Sequence, residues 1–176
     1  MINNINNINN IYLVGLMGSG KTTVGKLTAK KLVKSFIDSD HLIEERSGVR
    51  VPLIFEYEGE EGFRKRETKV LEELIAMKNI ILATGGGIIL EKSNQKLLVE
   101  NGLVIYLKAD YDLLASRLRS DLTRPLLQGV NIKDRLKNLF MERDPIYKSI
   151  ADCVIETKNK RATDIVKEIE KITKQL

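Results

Sequence analysis

The chain has 176 residues, 43% hydrophobic and 30% charged, with a formal net charge of +5. That length suggests one domain with a sizeable core, and the thin basic excess suits an anionic small molecule better than nucleic acid. A single cysteine, Cys153, and a single histidine, His41, exclude an internal disulfide and a Cys/His zinc cluster.

Residues 1–10 repeat Ile-Asn-Asn three times after Met1, a low-complexity pattern expected of a mobile tail. No basic segment followed by an apolar core precedes the first strand, and no apolar run is long enough to span a membrane. A cytoplasmic protein is the expectation.

Ile11-Tyr12-Leu13-Val14 reads as a buried strand and runs into Gly15-Leu16-Met17-Gly18-Ser19-Gly20-Lys21-Thr22-Thr23. That segment fits G-x-x-x-x-G-K-[ST], and Val24, Leu27, Leu32 and Val33 follow at helical spacing. Strand, glycine loop and helix make a phosphate-binding loop: backbone N–H groups turn inward and the helix N-terminus adds partial positive charge. In such a loop Gly18, Ser19, Gly20 and Thr23 surround the phosphates, Lys21 reaches the β- and γ-phosphates, and the Thr22 hydroxyl holds Mg²⁺.

Ser35 to Asp38 is the next strand, followed by a helix from His41 to Ser47 and a short one from Val51 to Tyr57 with Pro52 in its first turn. Residues Glu60 to Met77 form a long amphipathic helix with Phe63, Val70, Leu74 and Met77 on one face and Glu67 on the same stripe. Further strands are expected at Ile80–Ala83, Leu103–Leu107 and Val154–Ile155, and further helices at Glu91–Glu100, Tyr111–Arg119 and Ile132–Arg143. Pro145 is expected to end the last of these, and Thr163 to cap a C-terminal helix through Ile172. Residues 120–129 lack apolar periodicity and contain Arg124-Pro125, so they read as a loop. Alternating strands and helices imply a parallel sheet covered on both faces, with ligands gathering beyond the carboxyl ends of the strands.

Three stretches lie at those ends: the phosphate loop, Asp38 with Asp40, and Gly85-Gly86-Gly87. In an extended segment residues two apart face the same way, so the two carboxylates would share a cleft, one near Mg²⁺ and one near a substrate hydroxyl. Strand-end aspartates also form turns. The glycines would admit a ligand close to the backbone or simply make a flexible turn. Arg64 and Glu67 are spaced for a surface ion pair, while Arg64 alternatively suits a ligand carboxylate. Arg117, Arg119 and Arg124 flank a loop that would close over a nucleotide, although Arg119 would equally be solvated; Arg143 would face a ligand or a helix dipole. Cys153, in an apolar run, reads as a buried structural thiol.

Taken together these motifs resemble the shikimate kinase family from Ile11 to the last helix. The resemblance rests on the phosphate loop through Lys26, Phe36-Ile37-Asp38-Ser39-Asp40, Gly59-Glu60-Glu61-Gly62-Phe63-Arg64 with Glu67, Leu82-Ala83-Thr84-Gly85-Gly86-Gly87, Arg124-Pro125-Leu126-Leu127 and Arg143-Asp144-Pro145-Ile146-Tyr147. It implies a three-layer α/β/α phosphate-loop kinase fold with a five-stranded parallel sheet in order 2-3-1-4-5. The implied reaction is MgATP-dependent phosphorylation of the shikimate 3-hydroxyl on the route to chorismate and the aromatic amino acids. By the same resemblance Asp40 holds the hydroxyl and takes its proton, and Arg64 and Arg143 grip the carboxylate beside the glycine triplet. Asp38 supports Mg²⁺ near Thr22, Arg124 descends with a lid over about residues 119–130, and Arg117 lies against adenine. The substrate segment spans about residues 40–67, and a monomer is implied. The Asn-rich extension and a lid short of glycines depart from the family pattern. A gluconate kinase would share the loop and lid but not need two arginines for a ring carboxylate. A non-catalytic nucleotide-binding protein would need neither the Asp pair nor a basic lid.

Overall fold

The computed structural model describes residues 9–118, 125–127 and 131–175. Five strands, β1 (Ile11–Val14), β2 (Ser35–Asp38), β3 (Ile80–Ala83), β4 (Leu103–Lys108) and β5 (Cys153–Glu156), pair in parallel in the order β2-β3-β1-β4-β5. Every residue of β1 and β3 is buried, as expected of inner strands covered on both faces, whereas the outer strand β2 is only partly buried.

Successive side chains of a strand point to opposite faces, and two cores result. Tyr12, Val14, Leu82, Val104 and Tyr106 pack with α3 (Val51–Ile75), α4 (Lys92–Asn101), α5 (Tyr111–Leu118) and α6 (Ile132–Ile150). Ile11, Leu13, Ile81, Ile105 and Ile155 pack with α1 (Lys21–Leu32) and α7 (Ala162–Thr173) on the other side. Helix α2 (Ser39–Ser47) links β2 to α3. This is the expected three-layer architecture with the expected strand order. Among the described residues no helix is long and apolar enough to cross a membrane.

The register brings the three informative stretches to one level. Leu13 and Asp38 both stand beside Ala83, so the phosphate loop, the Asp38 segment and Thr84-Gly85 leave adjacent strands side by side.

Several expectations are corrected. Asn10, assigned to the tail, is buried: its amide donates to Met77 O at 2.7 Å and its Oδ1 accepts from Ile80 N at 3.2 Å. The two helices expected on either side of Gly59 are present, joined as α3 across a break at Gly59, whose φ of 69° is left-handed. Such a conformation strains any residue with a Cβ, so glycine marks the kink. Arg66 and Glu58 clasp across it with bonds of 2.8 and 2.6 Å. Pro145 does not end α6, which continues to Ile150. A proline there removes one backbone bond, but the stripe of Leu136, Leu139, Arg143, Tyr147 and Ile150 is buried on both sides of it and burial carries the helix through. Arg161, not Thr163, caps α7, with Asp164 bonding back to the Arg161 N–H. Cys153, on the outer strand β5, is only partly buried.

Candidate active site

Helix α1 begins without a side-chain cap and with no acidic residue in its first turn. Its N-terminal N–H groups and dipole are therefore left for an anion, the arrangement that binds phosphate. Gly18 (φ 78°) and Gly20 (φ 100°) give the loop the backbone turns that aim those groups inward. Lys21 is nearly buried, and its ammonium donates to Gly15 O at 2.7 Å and Leu16 O at 2.9 Å, so it lies folded along the loop. Arg117 reaches from α5 to donate to Gly18 O at 2.9 Å.

The Thr22 hydroxyl donates to Asp38 Oδ2 at 2.7 Å. One hydroxyl and one carboxylate beside a phosphate site fit Mg²⁺, which takes few protein oxygens and completes its octahedron with water and phosphate.

Asp38 and Asp40 do not share an extended segment. The strand ends at Asp38, which caps α2 by accepting from the Asp40 and His41 N–H groups at 3.1 and 3.3 Å, and Asp40 lies in the first helical turn. Helical geometry nonetheless brings Asp40 to the glycine triplet, because a Cβ on Gly85 would lie 2.7 Å from Asp40 Oδ1.

The triplet meets both halves of the site. Gly85 donates its N–H to Ser39 Oγ at 2.9 Å, so it provides space there rather than a free donor. Its missing Cβ would lie 2.2 Å from Glu67 Oε1, and one on Gly87 would lie 2.2 Å from Arg64 Nη2. On the other side, a Cβ on Gly86 would stand 3.4 Å from Met17 N and 3.5 Å from Gly15 O, in contact with the phosphate loop. The Gly86 carbonyl accepts from Arg143 Nη1 at 3.2 Å and from the Tyr147 hydroxyl.

Arg64 and Glu67 do pair, at 2.7 Å, but not on the surface: the two side chains are 11% and 0% exposed. Burial pushes the Glu67 carboxyl up to about 7, against the pull of Arg64, and neighbouring Asp40 adds to the rise. Arg143 is likewise buried, in mid-helix because α6 passes Pro145, which removes the helix-dipole alternative. Tyr147, one turn on, stacks on Tyr106 with ring centroids 4.8 Å apart, and Tyr106 donates to Asp144 at 3.0 Å. Burial raises the Tyr147 pKa well above that of a free phenol, while Arg143 pulls it down; the hydroxyl stays protonated and donates.

A cleft of about 1790 Å³ is lined by Gly18 to Thr23, Asp38, Asp40, Gly86 and Arg117 among others. The expected residues Gly18, Ser19, Gly20, Lys21, Thr22, Thr23, Asp38 and Arg117 thus form one half of a site, and Asp40, Arg64, Gly85, Gly86, Gly87 and Arg143 gather as the other. Arg124 lies outside the described residues, as does most of the lid span. Sequence reasoning missed Ser39 and Tyr147 and read Glu67 only as a partner. A charge on an apolar stripe was the available signal for Glu67, and a tyrosine four residues after Arg143 was the signal for Tyr147.

A phosphate loop at the carboxyl ends of a parallel sheet in this strand order defines a phosphate-loop kinase of the small-molecule type. The sequence model of the family described as shikimate kinase matches residues 17–174. A shikimate kinase of Thiobacillus denitrificans is 53% identical over 146 residues, 83% of this chain and 80% of that protein. One from Aromatoleum aromaticum is 46% identical over 159 residues, covering 90% of this chain and 91% of its own. The structure of shikimate kinase from Acinetobacter baumannii in complex with shikimate superposes with a TM-score of 0.91 at 47% identity, covering 94% of this chain and 92% of that one. This chain belongs to the shikimate kinase family. A gluconokinase from Sinorhizobium meliloti, with a TM-score of 0.58 and 14% identity, shares the fold alone.

Proposed function

We propose that this protein transfers the γ-phosphoryl group of ATP to the 3-hydroxyl of shikimate, giving shikimate 3-phosphate and ADP, and that the two halves of the site divide the work. The observation that carries the assignment of roles is the glycine triplet, which touches the phosphate loop through Gly86 and Arg64 through Gly87. Donor and acceptor residues therefore stand on opposite sides of one backbone segment.

In this reading the loop N–H groups, Lys21 and Arg124 bind the triphosphate, and Arg117 lies against adenine. The Thr22 hydroxyl, with Asp38 beside it, would hold Mg²⁺, which would supply charge neutralisation to the phosphates. Arg64 and Arg143 grip the shikimate carboxylate, the triplet lets the ring approach, and Asp40 orients the 3-hydroxyl. As the new O–P bond forms and the bond to the β-phosphate bridge breaks, Asp40 accepts the hydroxyl proton and ADP leaves. Because the transition state of phosphoryl transfer is loose, positioning and charge neutralisation carry more of the acceleration than proton abstraction.

The working unit is one domain over residues 11–176, with the substrate segment at about 40–67 and the lid at about 119–130. It acts as a cytoplasmic monomer on small molecules, without nucleic acid or membrane. A coupled ADP-release assay with shikimate, gluconate, nucleoside monophosphates or no acceptor tests the reaction. Turnover with shikimate alone is expected; turnover with gluconate, or slow ATP hydrolysis indifferent to acceptor, overturns it.

A further inference from the structure

Arg64 holds two carboxylates of very different freedom. Its Nη1 donates to Glu67 Oε2 at 2.7 Å, and that side chain is 0% exposed. Its Nη2 donates to Glu60 Oε1 at 2.8 Å, and the Glu60 side chain is 47% exposed. Glu67 has no water to move into, whereas Glu60 does. Glu60 also follows Gly59, where the left-handed backbone interrupts α3.

A guanidinium is a planar fork that takes a carboxylate best along one edge. With Glu60 and Glu67 on its two terminal nitrogens, a third carboxylate from an acceptor has no free edge of the guanidinium to take. Asp40 is a further negative group and Arg143 a further positive one beside Glu67. The departure of Glu60 into water frees the outer donor of Arg64 for the acceptor.

We propose that Glu60 is an internal placeholder for the acceptor carboxylate: it neutralises Arg64 in the free protein and is displaced into solvent when the carboxylated acceptor binds. This rests on the reading that Arg64 grips that carboxylate. The placeholder spares a nearly buried guanidinium from standing with one edge unsatisfied, and it offsets part of the attraction between Arg64 and the acceptor.

Isothermal titration at low ionic strength is the test, with shikimate and with its analogue whose carboxylate is reduced to an alcohol. The proteins are wild type, Glu60→Gln, Arg64→Ala and the double variant, each first shown to be folded by a cooperative melt. Glu60→Gln is expected to bind shikimate about two- to five-fold more tightly, the range set by a half-exposed ion pair. It should leave the alcohol's affinity unchanged, and the gain should vanish when Arg64 is alanine. If Arg64→Ala weakens shikimate binding but Glu60→Gln weakens it too or has no effect, Glu60 orients Arg64 instead and the proposal is overturned. If Arg64→Ala leaves shikimate affinity untouched, the carboxylate grip itself is wrong and the placeholder falls with it.

Discussion

Arg64 and Glu67 form an ion pair of 2.7 Å in which the carboxylate has no exposure at all. Glycines pin both partners, Gly87 against the guanidinium and Gly85 against the carboxylate. A buried pair adds little stability compared with apolar side chains, but it fixes the geometry of each partner because neither tolerates losing the other. In an acceptor site that rigidity sets where the remaining guanidinium edge points.

The pair has a pH signature. Burial holds the folded Glu67 carboxyl at about 7 against 4.5 for the free group, so between those values the unfolded chain ionises while the folded one keeps its proton. Stability from this group is complete below pH 4.5 and is lost as pH rises through about 7. Glu67→Gln removes the titration. Urea unfolding at pH 5 and 7.5 should show the variant gaining on wild type by about 2 kcal/mol at the higher pH. An equal difference at both pH values would mean that Glu67 is ionised throughout.

Gly85→Ala should damage acceptor binding selectively. The added Cβ would lie 2.2 Å from Glu67 Oε1 and 2.7 Å from Asp40 Oδ1, and neither group has an easy retreat. The KM for shikimate is expected to rise at least about ten-fold, the consequence of displacing a positioning group, with a smaller change in the KM for ATP. Equal changes in both would point to general unfolding.

Tyr147→Phe removes one of the two donors on the Gly86 carbonyl and keeps the stack on Tyr106. A loss of about 1 kcal/mol of stability is expected for the missing hydrogen bond. A rise of several-fold in shikimate KM should accompany it, because Gly86 and Arg143 lose a common anchor. Unchanged kinetics would reduce Tyr147 to a core residue.

On the donor side, the proposed mechanism predicts that Lys21→Ala and Arg124→Ala mainly lower kcat and that Arg64→Ala mainly raises shikimate KM, since in it the first pair would meet charge that develops in the transition state and the last a charge already on the substrate. Asp40→Asn should be severely impaired. Near wild-type turnover in that variant would take Asp40 out of the chemistry.

Away from the site, Val33 ends α1 in a left-handed conformation (φ 54°) while 85% exposed. A β-branched residue is strained there and buries little in return. Val33→Gly should therefore raise stability by about 0.5–1 kcal/mol after the entropy cost of glycine is deducted. Chemical denaturation measures it, and a lower midpoint would show that the strain is absorbed elsewhere.

Much of this molecule was legible in one dimension. The strand–loop–helix signal around Gly15 to Thr23, the alternation that makes a parallel sheet and the break at Gly59 all depend on local periodicity and backbone chemistry, which neighbouring residues dictate. Interactions between distant elements were not legible in that way. Pro145 argued locally for a helix end, yet the helix passes through it because Tyr147 and Ile150 are buried against other elements. Asp38 and Asp40 read as a pair on one strand, yet a helix begins between them and gives one to the Thr22 hydroxyl and the other to the glycine triplet. Arg64 and Glu67 read as a surface pair, or Arg64 as a clamp on a ligand carboxylate, and only the packing of α3 against α4 and the Ile88–Leu90 turn puts them inside. Local sequence thus determined the elements and the phosphate loop, whose geometry is built from consecutive residues. The proposed acceptor half was decided by tertiary structure, because its members come from α2, α3, the turn after β3 and α6 and their charges acquire their properties only once water is excluded.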